Sequence, residues 1–366
     1  MGRSLSVAFL TSARAWRGSG VSFYHIAQGL VDRGHRVRML AGDEPVVEAF
    51  AERGLTASHT PTGHTGIRGA RALARSLRSV EADCLIVDRP RDLRLGALSS
   101  IVYRVALVNR YNLRYQGPPR DLLSRAAYLG VRLTIFVSQS SAHRALASAK
   151  YLGRRPHQVI PEAVGSQFRP DSAAADHFRA RYALAGREFV LAVGSLTADK
   201  RYDFIFDALT RLGSEAPLLV VCGAGPLGER LKQRAAELNL EVRFVGMVSP
   251  ELMPGAYTAA TALIHACEIE SFGLCVLEAM ACGRSVVAVH GGAVPEVLGG
   301  AGILSPPNDP EGFGIRLREL LLDPLRRGAL ETAARRRAEK FSLSEMQEAH
   351  AQAIEWVCTA GKPPRR

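Results

Sequence analysis

The 366-residue sequence predicts an α/β protein made of two doubly wound domains in succession. Three observations carry this reading. Short apolar runs rich in Val, Ile and Leu recur, each closed by a turn and followed by a segment with helical spacing. The alternation pauses over residues 165–187, rich in Ala, Arg and Gly, and restarts at Phe189. The stretch from His265 to Glu296, HACEIESFGLCVLEAMACGRSVVAVHGGAVPE, then shows strand end, tight loop, helix, second strand and glycine-rich turn in one piece.

In chain order, Ser6 to Leu10 is the first strand, leading into the loop TSARAWRGSGVS. Phe23, Ile26, Ala27, Leu30 and Val31 then follow helical spacing, and Gly34 ends that helix. Arg36 to Leu40 is the second strand. The glycines Gly18 and Gly20 lack the third glycine of a dinucleotide fingerprint. His25, on the helix, is either a ligand-facing residue or a partly exposed polar group. Cys84 to Val87 and Val105 to Val108 read as parallel strands, ending in Asp88-Arg89-Pro90-Arg91-Asp92 and Asn109-Arg110-Tyr111-Asn112. Loops at the carboxyl ends of parallel strands are where ligands bind, which makes Asp88, Arg89, Asn109 and Arg110 candidate contacts. Asp88 and Arg91 are alternatively a local ion pair. Thr134 to Ser138 is a further strand, with a helix from about Ser140, and Val159-Ile160-Pro161 closes this half.

The second half opens with the strand Phe189 to Val193 and the turn Gly194-Ser195-Leu196. Lys200 and Arg201 precede a helix from Tyr202 to Leu212. A lysine at a helix start runs against the helix dipole unless an anion binds there, which marks Lys200 as an anion ligand. Leu218 to Cys222 is a strand, followed by Gly223-Ala224-Gly225-Pro226 and a helix to about Leu238. Val242 to Val245 leads into Gly246-Met247-Val248. In the central stretch, Leu274 to Cys282 is helical, with Leu274, Val276, Leu277 and Ala281 expected to face inward. Ser285 to Val289 is a buried parallel strand. Helical patterns cover Asp309 to Leu322, an arginine-rich region ending near Phe341, and residues 345–358; the tail GKPPRR is expected to lack structure.

Two acids, Glu270 and Glu278, frame the turn before the central helix, with seven residues between them. The helix start offers backbone amides around Gly273, Leu274 and Cys275, which attract an anion. Carboxylates repel phosphate, so the two acids are suited to neutral hydroxyls on either side of it. A sugar and a ribose flanking a diphosphate fit that arrangement. The plainer alternative is an α/β unit with one surface Glu and one helix Glu.

The pattern ESFGL…LEAMACG…VVAV…GG…PEVL goes further than two acids. It resembles, almost position by position, the Glu-x7-Glu region of the retaining glycosyltransferases of family 4, which have the GT-B fold. Gly18-Ser19-Gly20, Gly34-His35, Phe168, Pro170 and Lys200 extend the resemblance over most of the chain. It implies two Rossmann-like domains facing an interdomain cleft. Residues 1–170 would form the acceptor domain, completed by a C-terminal helix at about 345–360, and 171–344 the donor domain. Lys200, Arg201 and Glu270 would be catalytic, the two cations on the diphosphate and Glu270 beside the donor sugar. Glu278 would hold the ribose, and the amides after Ser271, at Phe272, Gly273 and Leu274, would meet the phosphate or sugar. Gly18, Gly20, Gly194, Ser195, Gly223, Met247 and Val248 would complete the donor site, the last two through the backbone at the nucleobase. His25, Asp88, Arg89, Asn109 and Arg110 would serve the acceptor.

The chain departs from the family at three places. No histidine follows Val87 or Val108, where many members carry one near the donor sugar. Glu162-Ala163 stands where Asn-Gly is usual. Ser195 replaces an arginine, so Arg201, Arg14 or Arg17 would have to supply the missing charge. The implied reaction is transfer of a sugar, with retention, from a nucleoside diphosphate sugar to an acceptor hydroxyl. No tightly bound cofactor and no metal are expected. A small natural product is the first acceptor class; a glycolipid or polysaccharide acceptor, or a GT-B binding protein impaired in catalysis, are the alternatives. A phosphorylase on the same fold would carry a lysine-bound pyridoxal phosphate, for which no motif is present. A monomer or dimer is expected.

No run of about 18 apolar residues exists, so no membrane-spanning helix is expected, and no signal peptide precedes the first strand-like run. The six cysteines lack metal-ligand spacing and suit a reducing cytoplasm. The net charge of +12 lies wholly in the N-terminal half, where residues 1–175 hold 25 Lys and Arg against 12 Asp and Glu. Nucleic acid, an acidic acceptor, an anionic membrane surface at the inner face and a solvated arginine-rich surface all fit that bias. No RNA motif or dense basic helix supports the first. No single segment combines a basic face with large exposed apolar residues, which favours a soluble acceptor over a membrane one.

Overall fold

The computed structural model describes residues 3–16, 18–63, 66–112 and 122–359. The chain divides into two compact units, Met1–Glu162 with Leu343–Arg366, and Ala163–Ser342. Among the described residues no helix is long and apolar enough to cross a membrane.

The first unit runs β1 (Ser6–Thr11), α1 (Gly18–Asp32), β2 (Arg36–Ala41), α2 (Glu44–Ala51), β3 (Ala57–His59), α3 (Ile67–Ser79), β4 (Cys84–Val87), α4 (Pro90–Val102), β5 (Ala106–Tyr111), α5 (Leu122–Leu129), β6 (Val131–Phe136), α6 (Gln139–Ser148) and β7 (His157–Val159). Its seven strands form one sheet in the order β3-β2-β1-β4-β5-β6-β7, paired in parallel throughout. Strands such as SVAFLT and CLIV are buried at every position, as a sheet covered on both faces requires. The order reverses between β1 and β4, so right-handed crossovers put the helices of the two halves on opposite faces. α3, α4 and α5 pack side by side on one face.

The second unit runs α7 (Ser172–Arg181), β8 (Phe189–Val193), α8 (Tyr202–Thr210), β9 (Leu218–Cys222), α9 (Gly228–Glu237), β10 (Val242–Gly246), α10 (Met253–Ala259), β11 (Ala262–His265), α11 (Leu274–Ala281), β12 (Ser285–Val289), α12 (Val294–Leu298), β13 (Ile303–Ser305), α13 (Pro310–Leu322) and α14 (Pro324–Ala338). Its six strands lie in the order β10-β9-β8-β11-β12-β13, with the reversal between β8 and β11. Asp171, Asp309 and Asp323 each cap a helix by accepting an amide hydrogen bond, which sets where α7, α13 and α14 begin. After α14 the chain returns to the first unit as α15 (Leu343–Thr359), which packs on α1, β4 and β5.

Several local expectations are corrected. Gly18, Ser19 and Gly20 lie in the first turn of α1, not in a loop. The helix after Lys200 stops at Thr210. In α11 the inward residues are Val276, Leu277, Ala279 and Met280, while Leu274 and Ala281 are half-buried. The helix is turned so that its first residue lines the loop instead of the core. Arg17 and the tail GKPPRR lie outside the described residues.

Candidate active site

The second unit gathers its charged side chains at the sheet's topological switch point. Lys200 follows β8 and Glu270 follows β11, the two strands between which the order reverses. Their side chains meet, Lys200 Nζ donating to Glu270 Oε2 at 2.5 Å, and both residues are buried. His265, the last residue of β11, brings Nε2 to 3.6 Å from the same carboxylate oxygen. Burying an ammonium and a carboxylate together is tolerable because each offsets the other's lost hydration. Arg201, in the left-handed region at φ 53°, turns away from this pair to Glu268 and stacks 4.7 Å from the Phe204 ring. Ser195 shares a hydrogen bond of 3.0 Å with Thr197.

Close backbone approach holds the loops. Gly223 donates its amide to the Gly246 carbonyl at 2.8 Å. A Cβ on Gly223 would lie 1.9 Å from the Gly194 carbonyl oxygen, so only glycine lets the turns after β8, β9 and β10 meet. The Glu270 carbonyl accepts the Ala293 amide at 2.9 Å. A side chain at Gly292 would strike that carbonyl at 2.2 Å, so the turn after β12 clamps the Glu270 loop from below. Phe272 is buried edge-to-face on Phe341, with ring centroids 5.6 Å apart, and Ser271 is buried beside it. The amides of Gly273, Leu274 and Cys275 open α11 ahead of its own hydrogen-bond ladder, which begins with Val276 and Leu277 bonding to the Gly273 carbonyl.

Glu278 lies one turn further into α11 and accepts a hydrogen bond from the Tyr257 hydroxyl at 2.6 Å. Burial pushes its carboxyl up to about 7, the tyrosine bond opposing that rise. Tyr257 is raised as well, by burial first and by the neighbouring carboxylate second. Met247 is 74% exposed and Val248 half-buried, both beyond the end of β10. Sequence reasoning did not assign His265 or Tyr257. His265 stands at a strand's carboxyl end and carried that signal; Tyr257, on α10, carried none. His265, Cys267 and Glu270 also bring nitrogen, sulfur and oxygen atoms within 4.8 Å of one another, a set able to ligate a soft or borderline cation. In this structure the ammonium of Lys200 provides the positive charge at Glu270.

The first unit has its own polar cluster at the β1–β4 switch point. Asp92, in the first turn of α4, accepts the Ser12 amide at 2.9 Å. Asp88 follows β4 and faces Arg89, with Nε 3.9 Å from Oδ1. The expected Asp88–Arg91 pair does not form, because Arg91 turns to the Gly63 carbonyl. Burial pushes Asp88 up to about 6 and Asp92 up to about 7, the latter helped by Asp88. Arg110, at the end of β5, is fully buried and pairs with Glu162, which also accepts from the Ser22 hydroxyl at 2.7 Å. His25 is held below its ordinary range by burial, with Glu162 opposing. Asn109 is buried and bonds to Tyr128, away from the cluster. Arg14 is exposed after β1, and Gly20 packs against the Trp16 ring.

Two doubly wound parallel-sheet units, each with charged side chains at its switch point, are the GT-B architecture. Residues 175–337 match the family described as "Glycosyl transferases group 1". The family expected from the sequence is thus borne out there. A GDP-mannose-dependent alpha-(1-6)-phosphatidylinositol monomannoside mannosyltransferase of Mycolicibacterium smegmatis is 30% identical over 213 residues, 55% of this chain and 56% of the relative. A D-inositol 3-phosphate glycosyltransferase of Corynebacterium jeikeium is 34% identical over 218 residues, 56% and 52%. The chain spans about half the length of the curated relatives it matches. Among solved structures, Anabaena Alr3699/HepE in complex with UDP and glucose has a TM-score of 0.82 at 19% identity, covering 95% of this chain and 98% of that one. That likeness establishes the shared fold.

Proposed function

We propose that this protein transfers a sugar from a nucleoside diphosphate sugar to an acceptor hydroxyl, with retention of anomeric configuration. One observation carries the reading: the buried Lys200–Glu270 pair at the β8–β11 switch point, beside the start of α11 and inside the residues that match the family. An ammonium, helix-start amides and a nearby carboxylate suit a diphosphate joined to a sugar. A relative named for GDP-mannose and a structural neighbour in complex with UDP and glucose support that donor class.

In this reading Lys200 and the amides of Phe272, Gly273 and Leu274 hold the phosphates, and Lys200 offsets the charge on the departing diphosphate. Arg201 lends long-range positive potential while bound to Glu268. Glu270 and Ser271 face the donor sugar. Glu278 binds the ribose, oriented by Tyr257. Gly194, Ser195, Gly223, Met247 and Val248 supply backbone contacts to the phosphates and base, and Gly18 and Gly20 are assigned to the donor as well. His25, Asp88, Arg89, Asn109 and Arg110 serve the acceptor. Side-chain cations do the work a metal performs in other transferases, so none is required. The six free thiols suit a reducing cytoplasm.

Thermal shift against a panel of nucleoside diphosphates and their sugars tests the donor site. A ligand at about 100 times its dissociation constant should stabilise the protein by about 2.7 kcal/mol. A panel without any stabilising nucleotide, and no transfer or donor hydrolysis by the purified chain, would refute the proposal.

A further inference from the structure

We infer that the α3–α4–α5 face of the first unit is a docking surface for an anionic membrane. The inference is independent of the transfer reaction. On α3, Arg68, Arg71, Arg75 and Arg78 are all exposed and recur at helical spacing along one stripe, with no acid in the helix. On the neighbouring α4 and α5 the exposed residues are apolar apart from Arg125: Ile101, Leu122 and Leu123 are 79%, 78% and 73% exposed. Leu98, Val102 and Leu129 extend the same surface. Side chains this large rarely stand in water so close together without a partner.

Contacts join the three helices into one face. The Arg78 guanidinium lies 5.9 Å from the Tyr103 ring at the end of α4. Gly130, just after α5, comes against Ala97 of α4. Arg155, exposed, donates to the Leu129 carbonyl, and Arg125 reaches the Tyr151 ring at 5.6 Å. The apolar side chains are thus edged by guanidinium groups on both sides.

Charge selects the occupant. Residues 89–161 hold 13 Lys and Arg against two acids, Asp92 and Asp121. Asp92 is buried, so among the described residues this stretch exposes no carboxylate at all. Glu81 and Asp83, which follow α3, are taken up by Arg36 and Arg3. A surface of exposed leucine and isoleucine bordered only by arginine matches the acyl–headgroup boundary of an anionic bilayer, where apolar groups insert and guanidinium groups meet phosphate. A nucleic acid would match the arginines but leave the apolar residues in water. The two properties lie on separate segments, as the sequence reading has it: α3 supplies most of the charge and its neighbours the apolar groups, and it is the packing of the helices that joins them.

Sedimentation of the full chain with vesicles tests this. About one-third phosphatidylglycerol in phosphatidylcholine should retain the protein at roughly 0.05 M salt, and pure phosphatidylcholine should not. Arg71→Glu and Arg75→Glu should each lower partitioning by about fivefold or more. Ile101→Glu combined with Leu122→Glu should remove the bound fraction that survives about 0.5 M salt. These residues are exposed, so melting temperatures should match the parent. Equal retention on both vesicle types, retention on neither, or variants that bind like the parent would overturn the inference. A dimer in sedimentation velocity that Ile101→Glu with Leu122→Glu splits would reassign the face to a second copy of the chain. Salt-sensitive binding to single-stranded DNA without vesicle binding would reassign it to nucleic acid.

Discussion

At the residue scale, the acids and cations were legible where local rules apply and hidden where partners lie far apart in sequence. Lys200 was readable because a lysine at a helix start is electrostatically out of place. Removing a comparable charge-stabilising donor lowers turnover by about 100- to 1,000-fold, or roughly 3–4 kcal/mol. Lys200→Ala should fall in that range with circular dichroism unchanged, and Lys200→Arg should recover part of the loss; undiminished transfer by the alanine variant would remove the phosphate role. Glu278 gives a pH prediction. With its carboxyl pushed up to about 7, the ionised form, which in the proposed function accepts ribose hydroxyls, grows in as pH rises through 7. Nucleotide affinity should therefore increase from pH 6 to about pH 8 in calorimetry, and Glu278→Gln should flatten the profile. Arg110 and Glu162 were less readable, since 52 residues separate them. Glu162 looked like a departure from the family pattern, and Arg110 like a candidate ligand contact. In the structure they are one pair: a buried guanidinium at the end of β5 needs a buried carboxylate, and Glu162 is that carboxylate.

At the element scale, the strands were legible because a parallel sheet covered on both faces demands unbroken apolar runs, and β1, β4, β9 and β12 are such runs. The face of α11 was misread because a helix of eight residues gives periodicity too few turns to fix its rotation. The turn after β9 sets a stability prediction. Gly223 sits at φ +147° with the Gly194 carbonyl where a Cβ would be. Gly223→Ala should destabilise the second unit by about 2–3 kcal/mol in urea unfolding and loosen nucleotide binding with it. A variant as stable as the parent would show that the β8 and β9 turns separate easily. The first turn of α4 gives the opposite sign. Asp92 is held near 7, above its unfolded value, so the stability it contributes is complete below about pH 4 and is lost as pH rises through 7. Asp92→Asn keeps the oxygen that accepts the Ser12 amide. It should raise the melting temperature at pH 8 by about 5 °C and leave it unchanged near pH 4. A rise of equal size at both values would mean that ionisation is not the cause.

At the scale of the whole molecule, the two α/β units were readable from the restart of alternation at Phe189, while the arginine–leucine face of the first unit was not. Its parts come from three helices, and only the fold sets them side by side. The same unit is completed by α15, which begins at Leu343, after all of the second unit. α15 buries Met346, Ala351, Ile354 and Val357, and lays His350 near Arg110, whose charge joins burial in holding that imidazole down to about 3. During translation the order of completion is therefore reversed. The seven-stranded sheet leaves the ribosome first, yet the groove that α15 fills against α1, β4 and β5 stays open until α15 is made. The second unit, continuous in sequence, can finish before it. A chain stopped at Ser342 should keep a cooperative second unit and present an uncovered apolar groove on the first, visible as dye binding and aggregation. A ribosome that stops between Ser342 and the end of α15 would thus release a first unit marked by its open groove as unfinished.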